Sequence, residues 1–181
     1  MVQINMSTRE ITVKVVYYGP ALSGKTTNLQ MLHELMSADA RGRMVTLDTK
    51  DDRTLYFDFL PIEFETVGGF SVKIKLFTVP GQVMHKSTRK VVLAGADAVV
   101  FVADSQRSAV GANAYSFRDM EANLKANGFD IERIPKDVQF NKRDLPDVNP
   151  LQEIKDAWKA VSYTQLRAHD TAMNISYYVF F

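Results

Sequence analysis

The stretch ITVKVVYYGPALSGKTTNLQMLHELM, residues 11–36, decides the fold. Ile11 to Tyr18 is a β-branched and aromatic run that stops at Gly19 and Pro20, which predicts a buried strand followed by a turn. From Lys25 onward Leu29, Leu32 and Met36 recur at helical spacing, so a helix follows and packs one apolar stripe on the sheet. Between strand and helix, Gly19-Pro20-Ala21-Leu22-Ser23-Gly24-Lys25-Thr26 matches the pattern G-x-x-x-x-G-K-[ST] in its required setting. Glycines let backbone N–H groups wrap phosphate oxygens, and the helix N-terminus adds partial positive charge. Lys25 then reaches the β- and γ-phosphates, the Thr26 hydroxyl meets Mg²⁺, and Gly19, Ala21, Leu22, Ser23, Gly24 and Thr27 complete the cradle. A chance glycine turn with a solvated lysine is the plain alternative, and the strand-to-helix context argues against it.

Downstream, Arg41 to Leu60 mixes charges, Thr and aromatics without a single period and reads as a long irregular connection. Between Ile62 and Val79, Gly68-Gly69 divides two extended runs, and Val72, Ile74 and Leu76 alternate with Lys73 and Lys75. That pattern predicts an antiparallel hairpin with its lysines facing water. Ala98 to Ala103 predicts a buried strand, Gly111 to Ala126 a helix with Phe117, Met120 and Leu124 inward, and Asp137 to Phe140 a short strand. Pro150 after Asn149 suits a helix N-terminus, and Leu151, Ile154, Trp158 and Val161 continue at helical spacing. Alternating strands and helices imply a three-layer α/β fold, its sheet mostly parallel with one antiparallel edge hairpin. The last stretch, SYTQLRAHDTAMNISYYVFF, has no helical period or cap, so residues 1–160 are expected as the domain and 161–181 as an atypical tail.

Three further groups carry chemistry. Asn141-Lys142-Arg143-Asp144 directly follows a predicted strand, where α/β sheets place ligand-contacting loops. A carboxylate at Asp144 accepts two hydrogen bonds from guanine N1–H and the exocyclic amine, a pair adenine lacks, while Asn141 and Lys142 brace loop and base. Thr78-Val79-Pro80-Gly81-Gln82 closes the second hairpin strand; Gly81 N–H suits a γ-phosphate and Gln82 suits the orientation of an attacking water. Its alternative is a strand-end turn with an exposed glutamine. Thr54 offers a second hydroxyl to Mg²⁺ and Arg53 an arginine finger in cis, against a reading of both as solvated residues of the charged DDR run.

Composition excludes other classes. The 181-residue chain has no cysteine, which removes disulfide frameworks, thiolate zinc sites, a Cys nucleophile and Cys lipidation. Lys plus Arg number 22 against 21 Asp plus Glu, so no bulk field draws the chain to nucleic acid. Apolar runs such as Ala98 to Ala103 are far shorter than the roughly 20 residues of a membrane span, and the N-terminus lacks a signal-peptide pattern. A cytoplasmic protein is expected. His33, His85 and His169 lack paired ligand spacing. The aromatics Tyr56, Phe57 and Phe59 read as core packing.

Taken together, these motifs resemble the Ras-like small GTPases. REITVKVVYYGPALSGKTTNL, DDRTLYFDFLP, TVPGQ and QFNKRDLP are similar to the bacterial branch that controls cell polarity and gliding motility, over about residues 9–160. That branch has Thr in place of the Asp of the D-x-x-G motif, and Thr78 stands there. The resemblance implies a Ras-like G domain and a GTP-hydrolysing switch with Mg²⁺. It makes Arg53 and Gln82 the catalytic pair alongside Lys25, and has Thr54 sense the γ-phosphate. It further implies slow unaided hydrolysis, a roadblock-type homodimer as activator, polarity and motility effectors that read the switch segments, and recruitment to cell poles. A non-hydrolysing nucleotide-binding scaffold is the alternative, and a P-loop kinase of small substrates is opposed by the N-K-R-D loop. Two departures stand out. Asp137 falls where the family has an apolar residue in a central strand, and an unpaired buried carboxylate there costs several kcal/mol. The family's closing strand, guanine-contacting small-residue loop and final helix are not legible in residues 161–181, so they are expected to be missing or altered.

Overall fold

The structure is a computed structural model that describes residues 2–37, 40–47, 57–65, 68–82, 86–150 and 152–153. Its central strand is β2 (Glu10–Tyr18), preceded by the short β1 (Gln3–Asn5), which pairs with it antiparallel. The glycine turn after β2 leads into α1 (Lys25–Leu35). Next come β3 (Val45–Leu47), β4 (Phe57–Glu65), β5 (Ser71–Thr78), α2 (Lys86–Leu93), β6 (Ala98–Asp104), α3 (Val110–Ala126) and β7 (Lys136–Asn141). The seven strands form one sheet of order β3-β4-β5-β2-β6-β7, with β1 off this path. β5, β2, β6 and β7 run parallel, whereas β4 lies antiparallel to β5 and β3 antiparallel to β4.

Strand alternation distributes the core to both faces of the sheet. Val16, Tyr18, Phe101, Ala103 and Phe140 face the side covered by Val92 and Leu93 of α2 and Phe117, Met120 and Leu124 of α3. Tyr17, Leu76 and Val102 face the side covered by Leu29, Leu32 and Met36. The result is the expected three-layer α/β arrangement, with the stripes predicted for α1 and α3 buried.

The sequence reading departs from the structure in three places. Arg41 to Leu60 is not wholly irregular, since it contains β3 and the start of β4; Asp58 and Pro61 interrupt the apolar alternation that would have marked the strand. Helix α2 left no period because two of its inward positions, Thr88 and Arg89, are polar and buried. Asp137 is neither central nor an unpaired buried carboxylate. Its strand ends the sheet among the described residues, its side chain is half-buried, and Val138 N donates to its Oδ1 at 2.9 Å. Tyr17, on the same sheet face, has its hydroxyl pKa pushed up to about 12, mainly by burial and then by the Asp137 charge. Phe59, expected in the core, is half-buried and tilts against Phe77 with ring centroids 4.8 Å apart, at the margin of the core and not within it. Of the predicted last helix only 152–153 are described, and they are helical; Arg53, Thr54, Tyr56, Trp158 and residues 161–181 lie outside the described residues. Among the described residues no helix is long and apolar enough to cross a membrane.

Candidate functional site

The turn from Gly19 to Gly24 is shaped by contacts that leave no room for side chains at its ends. Gly19 has φ +146°, and a Cβ there would lie 2.3 Å from Val102 O. Gly24, at φ +96°, precedes the first residue of α1, and its Cβ would lie 2.2 Å from Asn141 Nδ2. Both positions therefore require glycine on conformation and space. Between them Ser23 is fully buried, while Ala21 and Leu22 are exposed at the outer rim and Leu22 adopts φ +62°. Thr26 and Thr27 follow, exposed, in the first turn of α1. The loop and the helix N-terminus together direct backbone N–H groups and partial positive charge at one concavity.

Lys25 lies under that loop, 7% exposed. Its Nζ donates to Gly19 O at 3.0 Å and Pro20 O at 2.6 Å. Burial pulls its pKa down to about 8, which the Asp58 carboxylate partly opposes and Arg89 reinforces. A cation held on neutral carbonyls in a desolvated place is suited to an anionic ligand that supplies the missing charge.

Asp58, from β4, was not among the residues singled out by sequence. It is 5% exposed. Thr26 Oγ1 donates to its Oδ2 at 2.5 Å, and Thr78 Oγ1 donates to the same oxygen at 2.9 Å. Asp58 N in turn donates to Thr78 Oγ1 at 2.8 Å. A carboxylate thus stands beside Thr26 although Thr78 occupies the motif position where an Asp is usual. The one indirect signal was Thr78, whose uncharged side chain leaves that motif position open to a carboxylate from a neighbouring strand. The oxygen-only set of Thr26 Oγ1 and Asp58 Oδ2 fits a hard divalent cation such as Mg²⁺.

The other motifs converge on the same edge. Asn141, at the end of β7, donates from Nδ2 to Ser23 O at 2.9 Å and so clamps the loop from the far side. Lys142 takes φ +61° and its Nζ pairs with Asp104 Oδ2 at 2.7 Å. Arg143 Nη1 donates to Asn149 O at 2.6 Å, and Asp144 is an exposed carboxylate on the same turn. Gly81 presses on the loop, where its Cβ would fall 2.3 Å from Ala21 N. Gln82 follows with an exposed side chain. The structure therefore brings Gly19 to Thr27, Gly81, Gln82 and Asn141 to Asp144 to one end of the sheet. Arg53 and Thr54 lie outside the described residues.

No protein-family model matches the chain. The mutual gliding-motility protein MglA of Myxococcus xanthus (strain DK1622) is 44% identical over 176 residues, covering 93% of this chain and 90% of that protein. The chain belongs to the MglA family. Its P-loop, its mostly parallel sheet and its flanking helices are those of a Ras-like α/β GTPase fold, as expected for an MglA relative.

Proposed function

We propose that this member of the MglA family is a GTP-hydrolysing molecular switch that controls cell polarity and gliding motility through nucleotide-dependent partner binding. The observation that carries the reading is the meeting of Lys25, Thr26, Asp58 and Thr78 at the N-terminus of α1, with the Asn141 loop clamped onto the same cradle. The name of the M. xanthus relative supports the cellular role.

In this reading the backbone N–H groups of Gly19 to Thr27 and the Lys25 ammonium bind the phosphates. Thr26 and Thr54 would hold Mg²⁺, with Asp58 bracing Thr26. The ion neutralises phosphate charge when bound. Asp144 accepts from guanine N1–H and its exocyclic amine, while Asn141 and Lys142 keep the base loop on the cradle. Gln82 orients the attacking water, Arg53 offsets charge developing on the transferred phosphoryl group, and Gly81 N–H meets the γ-phosphate. Contacts to that phosphate order the segments around Thr54 and Gly81, and hydrolysis releases them. An MglB-type roadblock homodimer accelerates otherwise slow turnover, and polarity effectors read the switch segments. The protein works in the cytoplasm and is recruited to the poles.

The test is a titration of the purified chain with fluorescent GDP and fluorescent ADP, with Mg²⁺ or with chelator. Saturable, Mg²⁺-strengthened binding that prefers GDP supports the site assignment; equal binding of both nucleotides overturns the guanine reading. Arg53→Ala and Gln82→Ala are then expected to keep GTP affinity within a few-fold but lose partner-stimulated hydrolysis, as read by phosphate release. Stimulated turnover that survives in either variant removes that residue from the catalytic pair, and no hydrolysis by the unmodified chain favours a scaffold.

A further inference from the structure

Arg89 of α2 is 3% exposed, and none of the sequence motifs names it. Its Nε donates to Asp119 Oδ2 of α3 at 2.7 Å. Its Nη1 donates to the carbonyl oxygen of Gln82 at 2.5 Å and reaches that of Pro80 at 3.5 Å. The same Asp119 oxygen accepts from the Tyr18 hydroxyl and from Asn123 Nδ2, the latter at 3.1 Å. Tyr18 is the last residue of β2, directly before Gly19. One buried carboxylate therefore joins the strand that enters the cradle, helix α3 and, through Arg89, the backbone on both sides of Gly81.

Such a pair needs a reason to exist, because desolvation offsets most of the attraction between buried charges and apolar replacements are often as stable. Its geometry supplies one. The planar guanidinium offers several donors in a fixed fork, so it holds Asp119 and the Gln82 carbonyl at once in one orientation. Beside Gln82 a cavity of about 290 Å³ opens, lined by Ala21, Gly81, Tyr115 and Ser116 as well as by Arg89 and Asp119. The exposed Gln82 side chain borders this open space, so among the described residues the Arg89 hydrogen bond is what anchors its peptide group.

We propose that Arg89, held by Asp119, is a positioning residue that sets the peptides flanking Gly81 against the cradle and thereby the reach of Gln82 toward water. The inference rests on the hydrolytic reading of the site given above. A displacement of about 1 Å in such a group is enough to slow a reaction roughly a hundredfold. GDP affinity, in contrast, is drawn in that reading from the Gly19–Thr27 cradle and the Asp144 loop rather than from the Gly81 peptides.

The experiment compares the unmodified chain with Arg89→Lys and with the double variant Arg89→Met/Asp119→Leu. The first keeps a charge opposite Asp119; the second removes the pair together and so avoids a lone buried charge if single variants fail to fold. Single-turnover GTP hydrolysis at saturating nucleotide, with and without the MglB-type activator, is measured separately from GDP affinity, with circular dichroism to verify folding. Positioning predicts a fall in rate on the order of tenfold or more in both variants, with GDP affinity within about threefold. A folded double variant that hydrolyses GTP within about twofold of the unmodified chain overturns the proposal, as does a loss confined to affinity. No hydrolysis by the unmodified chain even with the activator present refutes the hydrolytic reading itself, and this inference with it.

Discussion

Lys25 binds two carbonyl oxygens in a buried setting, with its pKa drawn down to about 8 from 10.5. A bound phosphate favours the ammonium and raises that value, so binding takes up a proton wherever the free protein holds Lys25 neutral. Nucleotide affinity is therefore expected to fall as pH rises through about 8, by up to about tenfold per pH unit. Titrations with fluorescent GDP between pH 7 and pH 9 would check this, and a flat profile would remove Lys25 from the phosphate contacts. Stability of the nucleotide-free protein moves the other way. The folded pKa lies below the unfolded one, so the unfolded chain binds more protons between about pH 8 and 10.5, and folding strengthens with pH across that window. At this scale Lys25 and Thr26 were legible because a contiguous motif names them. Asp58 was not, because a lone aspartate in an aromatic strand has no local signature.

At the scale of elements, the loop after β5 and the loop after β2 touch backbone to backbone at Gly81. A Cβ there would meet Ala21 N at 2.3 Å, Ala21 Cα at 2.5 Å and Pro20 C at 2.5 Å, atoms that no side-chain rotation can move. Gly81→Ala is expected to separate the two loops. Because the Gly81 N–H is assigned to the γ-phosphate, affinity for a fluorescent GTP analogue should fall about tenfold more than affinity for GDP, the equivalent of one charge-assisted hydrogen bond. An unchanged ratio of the two would argue against that contact. The elements differ in how far sequence foretold them. β2, α1, β6 and α3 follow from runs or stripes of apolar residues. α2 was unreadable because Arg89 and Thr88 face inward, and the start of β4 because Asp58 faces the site.

For the molecule as a whole, the parallel strands β2, β5 and β7 carry the Gly19–Gly24, Gly81 and Asn141–Asp144 loops at their C-terminal ends, so residues distant in sequence share one rim. Asn141 and Ser23 are 118 residues apart, yet they are joined by a 2.9 Å hydrogen bond. Clamp and base reader are thus separable: Asn141→Ala should weaken GDP and ADP binding alike by loosening the cradle, whereas Asp144→Ala should lower the preference for GDP over ADP about tenfold or more. Competition titrations of both variants distinguish the two, and a selective loss in Asn141→Ala would merge the roles. Sequence by itself determined the glycine turn between β2 and α1, the buried strands and the place of the Asn141–Asp144 loop after a strand. Each of these is encoded within one short stretch by chain continuity, apolar periodicity and turn chemistry. Only the tertiary structure decided that Asp58 meets Thr26 and Thr78, that Asn141 grips Ser23, and that Arg89 holds the Gln82 peptide. Those contacts depend on sheet order, strand register and helix placement, which set hydrogen bonds between distant residues and leave no periodic trace along the chain.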